Sequence, residues 1–133
     1  MGRAHVRMLC DTGAFCNCIS GAFYNKHLAS VASLDKTHHQ QNLVAASGAS
    51  LSTIGKVNAN FKIGGSTFSA DFFVVDHLTH DVILGVEFFE RTDTLLDYKL
   101  KRLSLHSGAI NTSFYGHGPH PYSVYLPENP DPS

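Results

Sequence analysis

An aspartate set between an apolar run and a Thr-Gly pair is the first feature of this chain that could do chemistry. The stretch reads Leu9-Cys10-Asp11-Thr12-Gly13-Ala14. A carboxyl group works as a general acid or base when a rigid scaffold holds it and partly removes it from water. A plain turn explains the same three residues, because Asp and Gly both tolerate turn geometry. The tripeptide alone leaves both readings open. Other reactive side chains are less well arranged. Cys10, Cys16 and Cys18 crowd into nine positions, but Cys16-Asn17-Cys18 is too tight for ordinary disulfide geometry and lacks the spacing of zinc sites. Among the nine histidines, His38-His39 and His117-Gly118-Pro119-His120 form two clusters. Neither pairs with a cysteine at ligand spacing, so they read as solvated loop residues, and no metal or other cofactor is expected.

The elements that must hold Asp11 are legible as short strands. His5 to Cys10 alternates well enough to deliver Asp11 at a strand end. Residues 19–28 suit a turn and a short helical piece, and the polar stretch 33–41 suits a connecting loop. Val57, Ala59, Phe61 and Ile63 repeat every second residue, as in a half-buried strand. Gly64-Gly65 then predicts a primed hairpin turn into a partner strand over 67–75. Val82-Ile83-Leu84 reads as a buried strand ending at Gly85, Val86 to Arg91 as a short helix, and residues 95–105 as a last hairpin turning at Lys99 to Arg102. After Leu105 the texture changes: residues 106–133 hold all five prolines with Gly, His and Tyr, and predict a linker or extended arm. The division is therefore a mostly β domain over 1–105 and a tail over 106–133.

Composition bounds the function. The 133 residues are 43% hydrophobic and 16% charged, which suits one folded domain with a modest core. Ten basic residues stand against eleven acidic ones and no basic stripe is present, so nucleic acid is not an expected partner. No apolar run reaches membrane length, so no membrane is expected. Unpaired cysteines fit an intracellular chain.

Three separated segments then line up. The first is Met8 to Ala14 followed by Cys18-Ile19-Ser20. The second is Leu43-Val44-Ala45-Ala46-Ser47-Gly48 with Leu51 and Ile54 to Val57. The third is Asp81 to Phe89 with Leu96-Asp97-Tyr98. In this order and spacing, over roughly residues 5–105, they resemble the retropepsins, the aspartic proteases of retroviruses and long-terminal-repeat retrotransposons, and among these the Gypsy-type elements and their domesticated relatives.

The resemblance implies a closed β-barrel-type half-domain with one short helix after Ile83-Leu84-Gly85. It implies activity as a two-fold homodimer, because the chain carries one Asp-Thr-Gly and the chemistry needs two carboxyls. By the same resemblance Asp11 is the catalytic residue, Thr12 stiffens the loop across the dimer, and Gly13 lets substrate backbone approach. Ala14, Phe15 and Ile83 line the substrate site, and Ala46, Ser47 and Gly48 belong to the flap that closes over it. The implied substrate is a peptide or polyprotein of Gag-Pol type, met in the cytoplasm or a virus-like particle. Two positions depart from the retroviral pattern. Phe15 and Val86 stand where those enzymes carry an Asp and an Arg that pair. The family's first strand, which would precede Gly2, is absent or lies upstream, so an upstream extension is expected to tighten the dimer. A non-catalytic module kept for dimerisation or peptide binding is the alternative, and the intact Asp-Thr-Gly-Ala argues against it. The cysteines beside Asp11 read as small buried hydrophobes, with redox control of the loop as the second reading.

Overall fold

The computed structural model describes residues 6–36, 42–44, 50–119 and 123–126. Its chain order begins with β1 (Met8–Cys10), β2 (Cys18–Ser20) and α1 (Gly21–Phe23), the last running into one π-helical turn, Tyr24–Leu28. The hydroxyl of Ser20 accepts the Phe23 N–H at 3.0 Å and caps that helical start. Next come β3 (Asn42–Val44), β4 (Ser50–Ile63), β5 (Ser66–Val75), β6 (Val82–Leu84) and α2 (Val86–Arg91). Five short strands follow: β7 (Leu95–Asp97), β8 (Arg102–Leu105), β9 (Ile110–Ser113), β10 (Gly116–His117) and β11 (Val124–Tyr125).

The β4–β5 hairpin is the long rail of the molecule. Its turn has Gly64 and Gly65 at φ of 59° and 81°, the left-handed pair that a primed two-residue turn needs and that glycine adopts without strain. Alternation along β4 buries Val57, Ala59, Phe61 and Ile63, as the sequence pattern predicts. Phe61, Phe68, Phe72 and Phe88 then pack ring against ring, with centroids 5.4–6.1 Å apart. Such pairs contribute about 0.5–1.5 kcal/mol each beyond the area they bury. This cluster joins α2 to the rail.

Eight strands form one sheet in the order β10-β11-β1-β6-β2-β5-β4-β3, and β7-β8-β9 form a second. Although β1 and β2 are consecutive, they do not pair. Instead β6 enters between them, parallel to β1 (Leu9↔Ile83) and antiparallel to β2 (Cys18↔Ile83). The large sheet ends at β10 and β3, so no closed barrel is formed among the described residues. The fold is mostly β with the expected short helix at Val86–Arg91.

The described residues after Leu105, 106–119 and 123–126, differ from the expected linker or arm. β9 continues the small sheet beside β8, and β11 joins the large sheet antiparallel to β1. Phe114, Ser123, Val124 and Leu126 are buried. The described strands after Leu105 are only two to four residues long, yet their residues enter the core.

Candidate active site

Asp11 follows β1 directly, and its neighbours hold it from three sides. Its N–H donates to the carbonyl of Leu84 at 2.9 Å, its carboxylate Oδ1 accepts the Gly13 N–H at 2.9 Å, and its own carbonyl accepts the Ala14 N–H at 3.1 Å. The residue is 4% exposed, so the carboxyl is largely withdrawn from water, whereas Thr12 and Gly13 beside it are exposed. This is the rigid, desolvated setting that the sequence reading required of a working carboxyl group. Ala14 is half-buried, and Phe15 projects outward at 66% exposure.

The loop after Asp11 is bound to the start of α2 by main-chain bonds. Val86 N–H donates to Ala14 O at 2.8 Å and Glu87 N–H to Phe15 O at 2.9 Å. The first amides of a helix lack partners within it, and here the Asp11 loop supplies them. Phe15 and Val86, the two positions that depart from the retroviral ion pair, therefore sit at one backbone junction, each bonded to the other's chain neighbour. Gly85 makes the approach possible. A methyl group in its place would stand 2.6 Å from Cys16 O, 2.7 Å from Ala14 O and 2.8 Å from Phe15 O.

Asn17 is a residue of this site that sequence reasoning missed. It is buried, its Oδ1 accepts the Gly85 N–H at 2.9 Å, and its Nδ2 donates to Asp71 O at 3.3 Å. Its main-chain oxygen accepts the Phe73 N–H at 2.9 Å. The available signal was one amide side chain inside the otherwise small, apolar run Cys16 to Ile19.

Strand alternation fixes which face Asp11 serves. Met8, Cys10, Val82 and Leu84 point into the core. The register aligns the residues between them in one row on the opposite face: Tyr125, Leu9, Ile83, Cys18 and Phe73 across β11, β1, β6, β2 and β5. Asp11 lies two residues beyond Leu9 and shares that face. Ile83, a predicted subsite residue, is half-buried in the middle of the row. The arms of the predicted flap pair as β3 and β4 (Leu43↔Leu51), but Ala46, Ser47 and Gly48 lie outside the described residues.

The cysteines are free thiols. Burial, helped by the Asp11 charge, pushes the Cys10 thiol up to about 12, and burial with a smaller contribution from Cys16 does the same for Cys18. Cys16 is also raised, by burial first and then Glu87, against an opposing pull from Lys56. Thiols held protonated in this way act as small packing groups. Among the described residues no cluster of three or more His, Cys, Asp or Glu side chains could hold a metal ion. Also among the described residues, no helix is long and apolar enough to cross a membrane.

A search of curated proteins found no match. Among solved structures, the chain is similar to the retroviral protease-like domain of Ddi1 from Leishmania major. The two are 17% identical with a TM-score of 0.67, over 86% of this chain and 95% of that one, a likeness of fold. A family model described as aspartyl protease matches residues 1–88, well over half of the sequence. With its Asp-Thr-Gly loop seated on a retropepsin-like sheet, the chain belongs to the aspartyl protease family.

Proposed function

We propose that the protein is an aspartic endopeptidase that works as a two-fold homodimer, with one Asp11 from each copy, on a polyprotein of Gag-Pol type. The observation that carries this reading is Asp11 itself. It is a buried carboxyl, fixed by Gly13 and Leu84, on a sheet face lined by apolar side chains. The sequence has a single Asp-Thr-Gly, so a second copy must bring the second carboxyl, and two-fold pairing is the commonest way to bring it.

Two carboxylates at close range share one proton, because ionising both against each other is costly. The ionised member takes a proton from a bound water while the protonated member donates to the carbonyl oxygen of the peptide bond. The water oxygen bonds to the carbonyl carbon and forms a tetrahedral diol. Return of a proton to the amide nitrogen breaks the carbon–nitrogen bond and releases an amine and an acid. Thr12 stiffens the paired loops, Gly13 admits the substrate backbone, and Ala14, Phe15 and Ile83 meet its side chains. Ala46, Ser47 and Gly48 close over it and exclude water. Free, protonated thiols suit a reducing intracellular compartment.

The test compares wild type with Asp11→Asn on a peptide library and on the flanking polyprotein sequence. The expected result is cleavage by wild type alone. Equal cleavage by Asp11→Asn would overturn the mechanism.

A further inference from the structure

Arg7 precedes β1, and its side chain is held by two tyrosine rings. The guanidinium carbon lies 5.1 Å from the centroid of the Tyr125 ring and 5.5 Å from that of Tyr115. Tyr125 pairs with Leu9 in the row on the Asp11 face, so the contact places Arg7 on that face too. His80 Nε2 meets Tyr125 Oη at 2.8 Å and ties the ring to the segment before β6. The cluster is open to water: Arg7 is exposed, Tyr115 is 72% exposed, and Tyr125 and His80 are half-buried. Asp81 stands beside Arg7 by register, one step before the pair Met8↔Val82. Yet among the described residues no ion pair or side-chain hydrogen bond engages the Arg7 guanidinium, whose contacts are the two rings. An exposed arginine ordinarily loses rotamer freedom when it grips a carboxylate. Here the rings already position the side chain, and ring faces leave its N–H donors available.

We infer that Arg7, braced by Tyr115 and Tyr125, binds an acidic side chain of the peptide substrate at a point remote from the cut bond. The inference rests on the peptidase reading above. Arg7 lies four residues before Asp11. That is about 13 Å along the strand, which an extended peptide spans in about four residues. Leu9, between the two, is covered. Strand β6 beside it stays open, with Ile83 half-buried and Asp81 exposed. A peptide that leaves Asp11 over Ile83 therefore comes within reach of Arg7. A carboxylate matches the guanidinium fork, and a peptide supplies it as Asp or Glu. Asp81 opposes the same group, so its charge limits the preference.

The experiment takes a peptide that wild type cleaves and places Glu or Gln, one position at a time, three to six residues to either side of the cut bond. At one position Glu is expected to exceed Gln in kcat/KM by about fivefold, the upper end for an exposed pair, with the difference in KM. Arg7→Gln is expected to bring that ratio to about one, Arg7→Lys to keep part of it, and Asp81→Asn to raise it. Added salt is expected to shrink it. Thermal melting shows that each variant is folded. A Glu-to-Gln ratio near one at every position in wild type overturns the inference and leaves the peptidase reading standing. So does a preference that survives in folded Arg7→Gln, even where that variant melts lower, since a purely structural Arg7 would give that result. Cleavage that persists in Asp11→Asn strikes the peptidase reading instead. A second measurement decides without turnover: Asp11→Asn is titrated with the same Glu and Gln peptides by fluorescence anisotropy. Tighter binding of the Glu peptide that Arg7→Gln abolishes supports the site, and equal binding of the two overturns it.

Discussion

Asn17 and Asp11 hold opposite ends of one peptide group. The carbonyl of Leu84 accepts the Asp11 N–H at 2.9 Å, and the N–H of the same peptide unit, on Gly85, donates to Asn17 Oδ1 at 2.9 Å. The Leu84–Gly85 peptide is thereby fixed in rotation as well as position, and with it the backbone that carries Asp11. Asn17→Leu keeps the bulk but leaves the buried Gly85 N–H without its acceptor. An unsatisfied buried donor costs about 1–3 kcal/mol. The melting temperature is expected to fall by several degrees and kcat to fall with it. Asn17→Asp, which retains the acceptor, is expected to recover most of kcat. Equal kcat in both variants would show that the bond does not position Asp11.

Gly85→Ala probes the same junction from the other side. Gly85 has an ordinary φ of −112°, so any residue could adopt its backbone angles. What excludes a side chain is the ring of three carbonyl oxygens from Ala14, Phe15 and Cys16 within 2.8 Å of the added carbon. These are main-chain atoms and cannot rotate away, so the loop itself must move. Overpacking of this kind costs about 1–3 kcal/mol. Calorimetry is expected to show that loss, and activity is expected to drop more steeply than stability, because a displacement near 1 Å at reacting groups costs roughly a hundredfold in rate.

Stability should respond to alkali through Cys10. Its folded-state value of about 12 lies above the ordinary thiol value of 9.0. The folded chain therefore keeps a proton that the unfolded chain releases between those values. Stability is fully present below about pH 9 and declines as pH rises toward 12. Urea midpoints measured from pH 8 to pH 10.5 are expected to fall in wild type and to fall less in Cys10→Ala. In the native protein at pH 8, iodoacetamide is expected to label Cys16, which is partly exposed, ahead of Cys10 and Cys18. Rapid labelling of Cys10 without unfolding would contradict the buried assignment.

Specific activity should depend on protein concentration. If each copy carries half of the carboxyl pair, dilution through the dimer dissociation constant removes active sites as well as molecules. Rates normalised to protein are expected to fall on dilution, in step with a shift from dimer to monomer in sedimentation. A constant specific activity over several decades, from a monomer, would refute the half-site arrangement.

The parts of the fold legible in the sequence are those set by local pattern. Val57 to Ile63 announces its strand by strict alternation, Gly64-Gly65 announces the turn, and Gly85 before Val86-Glu87-Phe88-Phe89 announces α2. Asp11 stood out because Thr12 and Gly13 beside it form a contiguous motif, but that motif took its reading only from the two later segments that follow it in order. The residues that were missed depend on distant partners. Asn17 takes its meaning from Gly85, 68 positions later. Val124 and Tyr125 lie in a stretch rich in proline, and they are strand residues because β1 offers them an edge. Two residues carry no periodicity, so no window of sequence could display it. Leu9 looked like one more apolar residue in a short strand, and only the register across five strands shows that it faces away from the core.

The place of β11 also orders events during synthesis. One edge of β1 is occupied by β6 and the other by β11, so the strand that leads into Asp11 has neither neighbour until β6 has been made. Its second edge is covered only after Tyr125 has emerged. Contacts this distant in sequence form late, because a long loop must close before they are gained. The carboxyl group of Asp11, made before both neighbours of its strand, is thus among the last to be fully seated. A nascent chain carries the motif long before it carries the site.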